Sequence, residues 1–112
     1  MARVEIPVTT ILTTGVTQPS QVTANMSLGN YIAANDGRIF LEAKNDDASP
    51  QTVTVVTQFV KDGFTLSDNI VSILAGGTKL LGPFPDYLFN KADLTVEVDV
   101  SDGDIKLRGY KL

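Results

Sequence analysis

Leu94-Thr-Val-Glu-Val-Asp-Val100, then Ser101-Asp-Gly-Asp104, then Ile105-Lys-Leu-Arg-Gly-Tyr-Lys-Leu112 is the stretch that decides the fold. Leu94, Val96, Val98 and Val100 alternate with Thr95, Glu97 and Asp99. A period of two marks a strand with one buried face. Asp102-Gly103 follows, the strongest short hairpin signal, because both central residues of a type I′ turn need φ > 0. This turn predicts a closing hairpin over residues 94–112. Val100 then faces Ile105, Val98 faces Leu107, Asp99 faces Lys106 and Glu97 faces Arg108. Apolar residues meet on one face and opposite charges on the other, and a slip of one residue destroys both matches.

Other β units precede it. Val4, Ile6 and Val8 alternate with Arg3, Glu5 and Pro7, a first strand that either sits at a sheet edge or carries Pro7 on its free side. Residues 13–29 are Thr, Ser, Gln, Gly and Asn with scattered small apolar residues, read as a long loop or arm. Asn35-Asp36-Gly37 is a turn. Ile39, Leu41 and Ala43 alternate with Phe40, Glu42 and Lys44 in a second strand. Residues 52–60, rich in Thr and Val, form a third. Lys61-Asp62-Gly63-Phe64 is a turn, and residues 69–75 form a fourth strand ended by Gly76-Gly77. Residues 79–82 are short and extended. Pro83 and Pro85 keep the next segment out of the α region. Residues 86–91 can make one helical turn with Asp86 as its cap.

Turn signals at fairly regular intervals, with no helical period and no internal repeat, predict a single all-β domain over residues 1–112. The pattern fits a β-sandwich or small barrel of Greek-key or jelly-roll kind, and the sandwich is the expected architecture. The length of 112 residues suits one domain, and 43% hydrophobic against 20% charged residues marks a globular chain. A net charge of −4 argues against a nucleic-acid or anionic-membrane partner, since either needs a basic patch. No run of eighteen apolar residues occurs, and the first eight residues contain no uninterrupted apolar run, so neither a membrane span nor a secretory signal is expected.

The chain has no histidine and no cysteine. The commonest general base, the commonest zinc ligand and all thiol chemistry are therefore missing. Paired carboxylates remain, with Glu42, Glu97 and Asp99 as candidates by residue type. Glu97 and Asp99 already have cationic partners in the hairpin register and read as a solvated strand face. Asp99, Asp102 and Asp104 do not fit the twelve-residue calcium loop and lack its closing glutamate. Gly76-Gly77 is followed by no lysine-serine pair, so it reads as a turn and not a phosphate loop. The expectation is a protein without enzymatic activity, with no catalytic residue, cofactor site or metal site. Binding is left. Phe84, Tyr87 and Phe89 cluster in a proline-rich loop, either as interface anchors or as plugs for the open end of the sandwich. With Gln18 and Gln21 of the arm they are the candidate interface residues. An aromatic platform for sugars is a further possibility, weakened by the absence of tryptophan.

The order of the motifs carries more than any one of them. Asn-Asp-Gly-Arg at 35–38 leads into Ile-Phe-Leu-Glu-Ala-Lys-Asn at 39–45, then Thr-Val-Thr-Val-Val-Thr at 52–57. Ala-Gly-Gly-Thr at 75–78, Gly-Pro-Phe-Pro at 82–85, Tyr-Leu-Phe-Asn at 87–90 and a closing valine strand follow. Residues 35–100 in this order resemble the small capsid decoration or auxiliary head proteins of tailed bacteriophages. The resemblance implies a β-sandwich without catalysis that binds the outer capsid surface, often as a homotrimer. Its partner would be the major capsid protein, and its place the virion after synthesis in the host cytoplasm. It carries over no residue roles. The alternative from another class is a carbohydrate-binding or adhesion module, which uses the same fold.

Overall fold

The structure, a computed structural model, describes residues 3–18, 21–65 and 67–112. Its strands are β1 (Val4–Glu5), β2 (Val8–Thr10), β3 (Val22–Thr23), β4 (Asn30–Ile32), β5 (Ile39–Asn45) and β6 (Gln51–Val55). After these come β7 (Val60–Lys61), β8 (Phe64–Thr65), β9 (Asn69–Ile73), β10 (Thr78–Leu81), β11 (Val96–Val100) and β12 (Ile105–Lys111). One helical turn, α1 (Asp86–Phe89), precedes β11. One sheet runs β1-β4-β11-β6-β9 and the other β10-β5-β12-β2, with β3 also paired to β12. The two sheets pack as a β-sandwich, as the alternation along the strands predicts. Both are mixed, since β1 runs parallel to β4 and β2 parallel to β12.

Inward positions of both sheets make one core. Ile32, Val53, Val55, Ile73, Val96 and Val98 come from the first sheet, and Ile39, Leu41, Ala43, Ile105 and Leu107 from the second, all buried. β5 reads buried at every odd residue from Ile39 to Asn45 and half-buried between, the signature of a strand with one face inside.

The closing hairpin is not formed. β11 pairs with β4 and β6, whereas β12 pairs with β5, β2 and β3, so the two strands lie in opposite sheets. Val98 sits across from Asn30 and Val55, and Leu107 from Ala43 and Val22. Neither Asp102 nor Gly103 has φ > 0. Asp102 instead accepts the backbone N–H of Asp104 at 2.8 Å, and Ser101 turns back onto Thr52 through two bonds. The physical reason is that a period of two fixes which side chains point inward but not whether the opposing face belongs to a neighbour strand or to the other sheet. The charges found different partners as well: Arg108 faces Glu42, and Lys106 faces Lys44. The type I′ geometry appears at another Asp-Gly, one of three in the chain. Asp62 and Gly63 have φ of 53° and 81° and join β7 to β8 with Lys61 opposite Phe64.

Three further expectations change. The first strand divides at Ile6-Pro7, with β1 on an edge of one sheet and β2 on an edge of the other. Pro7 thus sits at the crossing, where no ladder bond is asked of it. The segment 13–29 is not wholly an arm, because β3 pairs with β12 and Ala24 is buried with its N–H on Ile105 O at 2.9 Å. Asp86 is the first residue of α1 and not its cap, and Pro85 before it makes no side-chain cap bond.

The crossing explains one glycine inside a strand. Gly109 lies between Val8 and Leu41, and a Cβ there would fall 2.8 Å from the Pro7 carbonyl oxygen. Backbone cannot yield as a side-chain tip can. Gly109→Val is expected to cost about 2 kcal/mol in urea unfolding. Gly103→Ala, with open space around it and no positive φ, is expected to change stability by less than about 0.5 kcal/mol.

Candidate interface

The aromatic cluster divides between core and surface. Phe84 is 1% exposed and Phe89 is 8% exposed, and their rings meet edge-to-face with centroids 5.6 Å apart. Both plug the end of the sandwich, which takes them out of any interface. Tyr87 is 70% exposed and is the one ring of the three that a partner can reach. α1 explains the division: a single turn turns Phe89 inward and Tyr87 outward. Gln18 is exposed and Gln21, next to β3, is half-buried.

Hydrogen bonds of Asn35 hold this end together. Its side-chain Nδ2 donates to the Phe84 carbonyl at 3.0 Å and to Asn90 Oδ1 at 2.7 Å, while Asn90 Nδ2 returns a bond to the Asn35 carbonyl at 2.8 Å. Asn35 is buried, so each polar atom needs such a partner. The opposite end is tied by Asn45 in the same way, with Nδ2 donating to Ser49 O at 2.8 Å and Ile73 O at 3.0 Å. The sequence carries no signal for either asparagine beyond its place in a turn.

The carboxylates are engaged by cations. Glu42 lies on the outer face of the β5–β12 sheet, 2.7 Å from Arg108, and accepts the Tyr110 hydroxyl at 3.3 Å. Glu97 and Asp99 lie on the outer face of the other sheet. Arg3 bridges them, at 3.0 Å from Glu97 and in direct contact with Asp99, and Lys91 adds a contact to Glu97 at 3.3 Å. The hydrogen bond that Arg3 donates to Asp99 raises the guanidinium pKa above its ordinary value.

Three acids do converge, though not the three read from the sequence. Asp47 replaces Asp99 beside Asp102 and Asp104, with oxygens within 4.8 Å of one another. Turn bonds already use them. Asp47 accepts the Gln51 amide at 2.9 Å and the Ser49 N–H at 3.0 Å, and those bonds lower its pKa. They stabilise a loop, as an aspartate-rich turn does.

Asp36, at the Asn35 end, has a carboxyl held well below its ordinary pKa. The Arg38 hydrogen bond at 2.7 Å, with Lys111 at 3.3 Å, holds its pKa down to about 2. A group lowered on folding contributes stability above its unfolded value, and that contribution is lost as pH falls through the folded value. Stability is therefore expected to decline between about pH 4 and pH 2, and Asp36→Asn to flatten that part of the profile. Denaturant midpoints measured across this range check it. The pair is exposed, so the effect is modest.

Large apolar side chains are exposed on the outermost strands. Ile70 of β9 is 65% exposed, Leu74 just after it 71%, and Leu80 of β10 67%. β9 and β10 are the edges of the two sheets on one side of the sandwich, joined through residues 74–77. The sequence shows β9 apolar on both faces, a pattern that more often belongs to a covered central strand. No known family model, curated protein or solved structure matches this chain.

Proposed function

We propose that this chain is a non-enzymatic structural protein of a tailed-phage virion that decorates the outer face of the capsid. Its partner is the major capsid protein, and it engages the shell as a homo-oligomer through loops and the segment before β3. The observation that carries this reading is the order of motifs from Asn35 to Val100. Their contacts support treating them as one pattern. Asn35 of the first motif bonds Phe84 of the Gly-Pro-Phe-Pro motif and Asn90 of the Tyr-Leu-Phe-Asn motif. Asn45, closing the second, exchanges backbone bonds with Gly76 and Gly77 of the glycine motif at 2.8 and 2.9 Å. A module whose ion pairs are spent internally suits binding through many weak contacts across an assembly.

The test is co-sedimentation with shells that lack the protein. Residues 13–20 are replaced by a short Gly-Ser linker, which leaves β3 in place. The wild-type protein is expected to pellet with the shells. The deleted form is expected to keep the circular dichroism of a β-sandwich and lose occupancy by about tenfold. Wild-type protein that ignores the shells overturns the capsid reading. A folded deletion that binds equally well overturns the role of the segment. The carbohydrate-binding alternative retains only Tyr87 of the three aromatics as a stacking surface.

A further inference from the structure

We infer that β9 is a self-complementary edge on which a second copy of this chain adds its own β9, antiparallel, about a two-fold axis at Ser72. The edge is open. Just past β6, Val56 N–H bonds Glu97 O, and in β6 Thr52 bonds Ser101, so even-numbered residues of β6 direct their backbone polar groups toward β11. Odd-numbered residues of β6 therefore bond β9, through the pairs Gln51–Ile73, Val53–Val71 and Val55–Asn69. In β9 it is then Ile70 and Ser72 whose N–H and C=O groups point away from the sheet, and no other described strand pairs with them.

The edge is also unguarded. Exposed edges are usually blunted by a charge, a proline or shortness. Among the other described edges, β10 carries Lys79, β1 is two residues long with Glu5, and β2 is three residues long. Residues 69–78 contain no ionisable side chain and no proline. Two such strands can therefore lie antiparallel without placing like charges opposite each other.

The side chains select one register. With the axis at Ser72, Ser72 faces its own copy, Ile70 faces Leu74 of the other chain, and Val71 faces Ile73. The exposed side chains of Ile70 and of Leu74, the residue just past β9, then cover each other, twice, on the outer face. The inner pair continues the core rim, because Ile73 is buried and Val71 half-buried. The backbone agrees, since Ile70 and Ser72 offer both N–H and C=O at the positions that bond across the new seam, and Leu74 offers its N–H, its carbonyl accepting the Gly77 N–H at 2.8 Å. A slip of two residues puts Ile70 opposite Ser72 and leaves Leu74 bare. The result is one sheet running through both copies.

A two-fold pair differs from the trimer that the resemblance implies, and it does not depend on the capsid reading. Sedimentation velocity over a concentration series tests it. A strand-edge contact lies near the low end of specific interfaces, about 1,000 Å² in total, so reversible dimerisation in the micromolar range is expected. Ser72→Lys sets two ammonium groups across the axis and is expected to weaken the dimer by about tenfold or more. Ile70→Lys and Leu74→Glu test the register. Each variant alone is expected to dimerise poorly. An equal mixture is expected to form the heterodimer, with the introduced ammonium of one chain against the introduced carboxylate of the other. Wild-type protein that stays monomeric or forms a trimer overturns the inference. So does a dimer indifferent to Ser72→Lys. A mixture that fails to restore association overturns the register.

Discussion

Val98→Asp is expected to leave no folded protein at 25 °C. Val98 is fully buried in β11, the middle strand of its sheet, and faces Asn30 on one side and Val55 on the other. Among the described residues, a carboxylate there has no cation within its layer, because the cations near β11 contact its outer face. An unpaired buried charge costs several kcal/mol, and the lost valine packing adds about 1–2 kcal/mol. Together these take most of the stability available to a domain of this size, about 5–15 kcal/mol. Circular dichroism and proton NMR dispersion of the purified variant check it. The neighbouring Glu97→Gln is the control. Its side chain is 20% exposed and neutralised by Arg3 and Lys91, so it is expected to cost about 1 kcal/mol or less. Equal losses from the two would mean that β11 presents its other face to the core.

Asn45→Leu is expected to lower stability by about 3 kcal/mol without changing the denaturant slope. Asn45 ends β5 in the second sheet, yet its amide reaches Ile73 of β9 in the first. It also holds Ser49 O, and its Oδ1 accepts Asp47 N–H at 2.9 Å. Leucine has similar volume, so the loss isolates the hydrogen bonds. Ile73 O is left facing apolar surface, the condition in which a missing partner costs most. A loss below about 1 kcal/mol would show that water takes over all three bonds.

Strand positions and faces are legible in the sequence wherever one face is dry and the other wet. β5 and β11 alternate without exception, and their inward residues follow from that pattern. Pairing partners are not legible. Asp102-Gly103 and Asp62-Gly63 are the same dipeptide, and only the second lies between strands of one sheet. What separates them is the surroundings: Ser101 is captured by Thr52 and Asp46 N–H by Asp104 O, contacts between residues far apart in the chain. Phe84 and Phe89 show the same limit. A proline-rich aromatic loop reads as an anchor or as a plug, and the choice rests on the Asn35 bonds. Ile70 and Leu74 are hidden for the opposite reason. Composition alone assigns β9 to an interior place, and its edge position follows from the order of the strands.

The last two strands in sequence are the middle strands of the sandwich. β11 stands at the centre of the first sheet, and β12 between β5 and β2 in the second. A nascent chain that has emerged only as far as α1 holds flanking strands with nothing between them. β5 then has β10 on one side only, and β4 and β6 have no common neighbour. Vectorial synthesis cannot build either sheet progressively, and closure waits for contacts such as Val8 with Gly109, which span nearly the whole chain. Such long-range closures make folding slow relative to local pairing. Until they form, the inward valines of β6 and the apolar β9 remain available to other nascent copies, so yield during expression depends on how quickly the final strands are delivered.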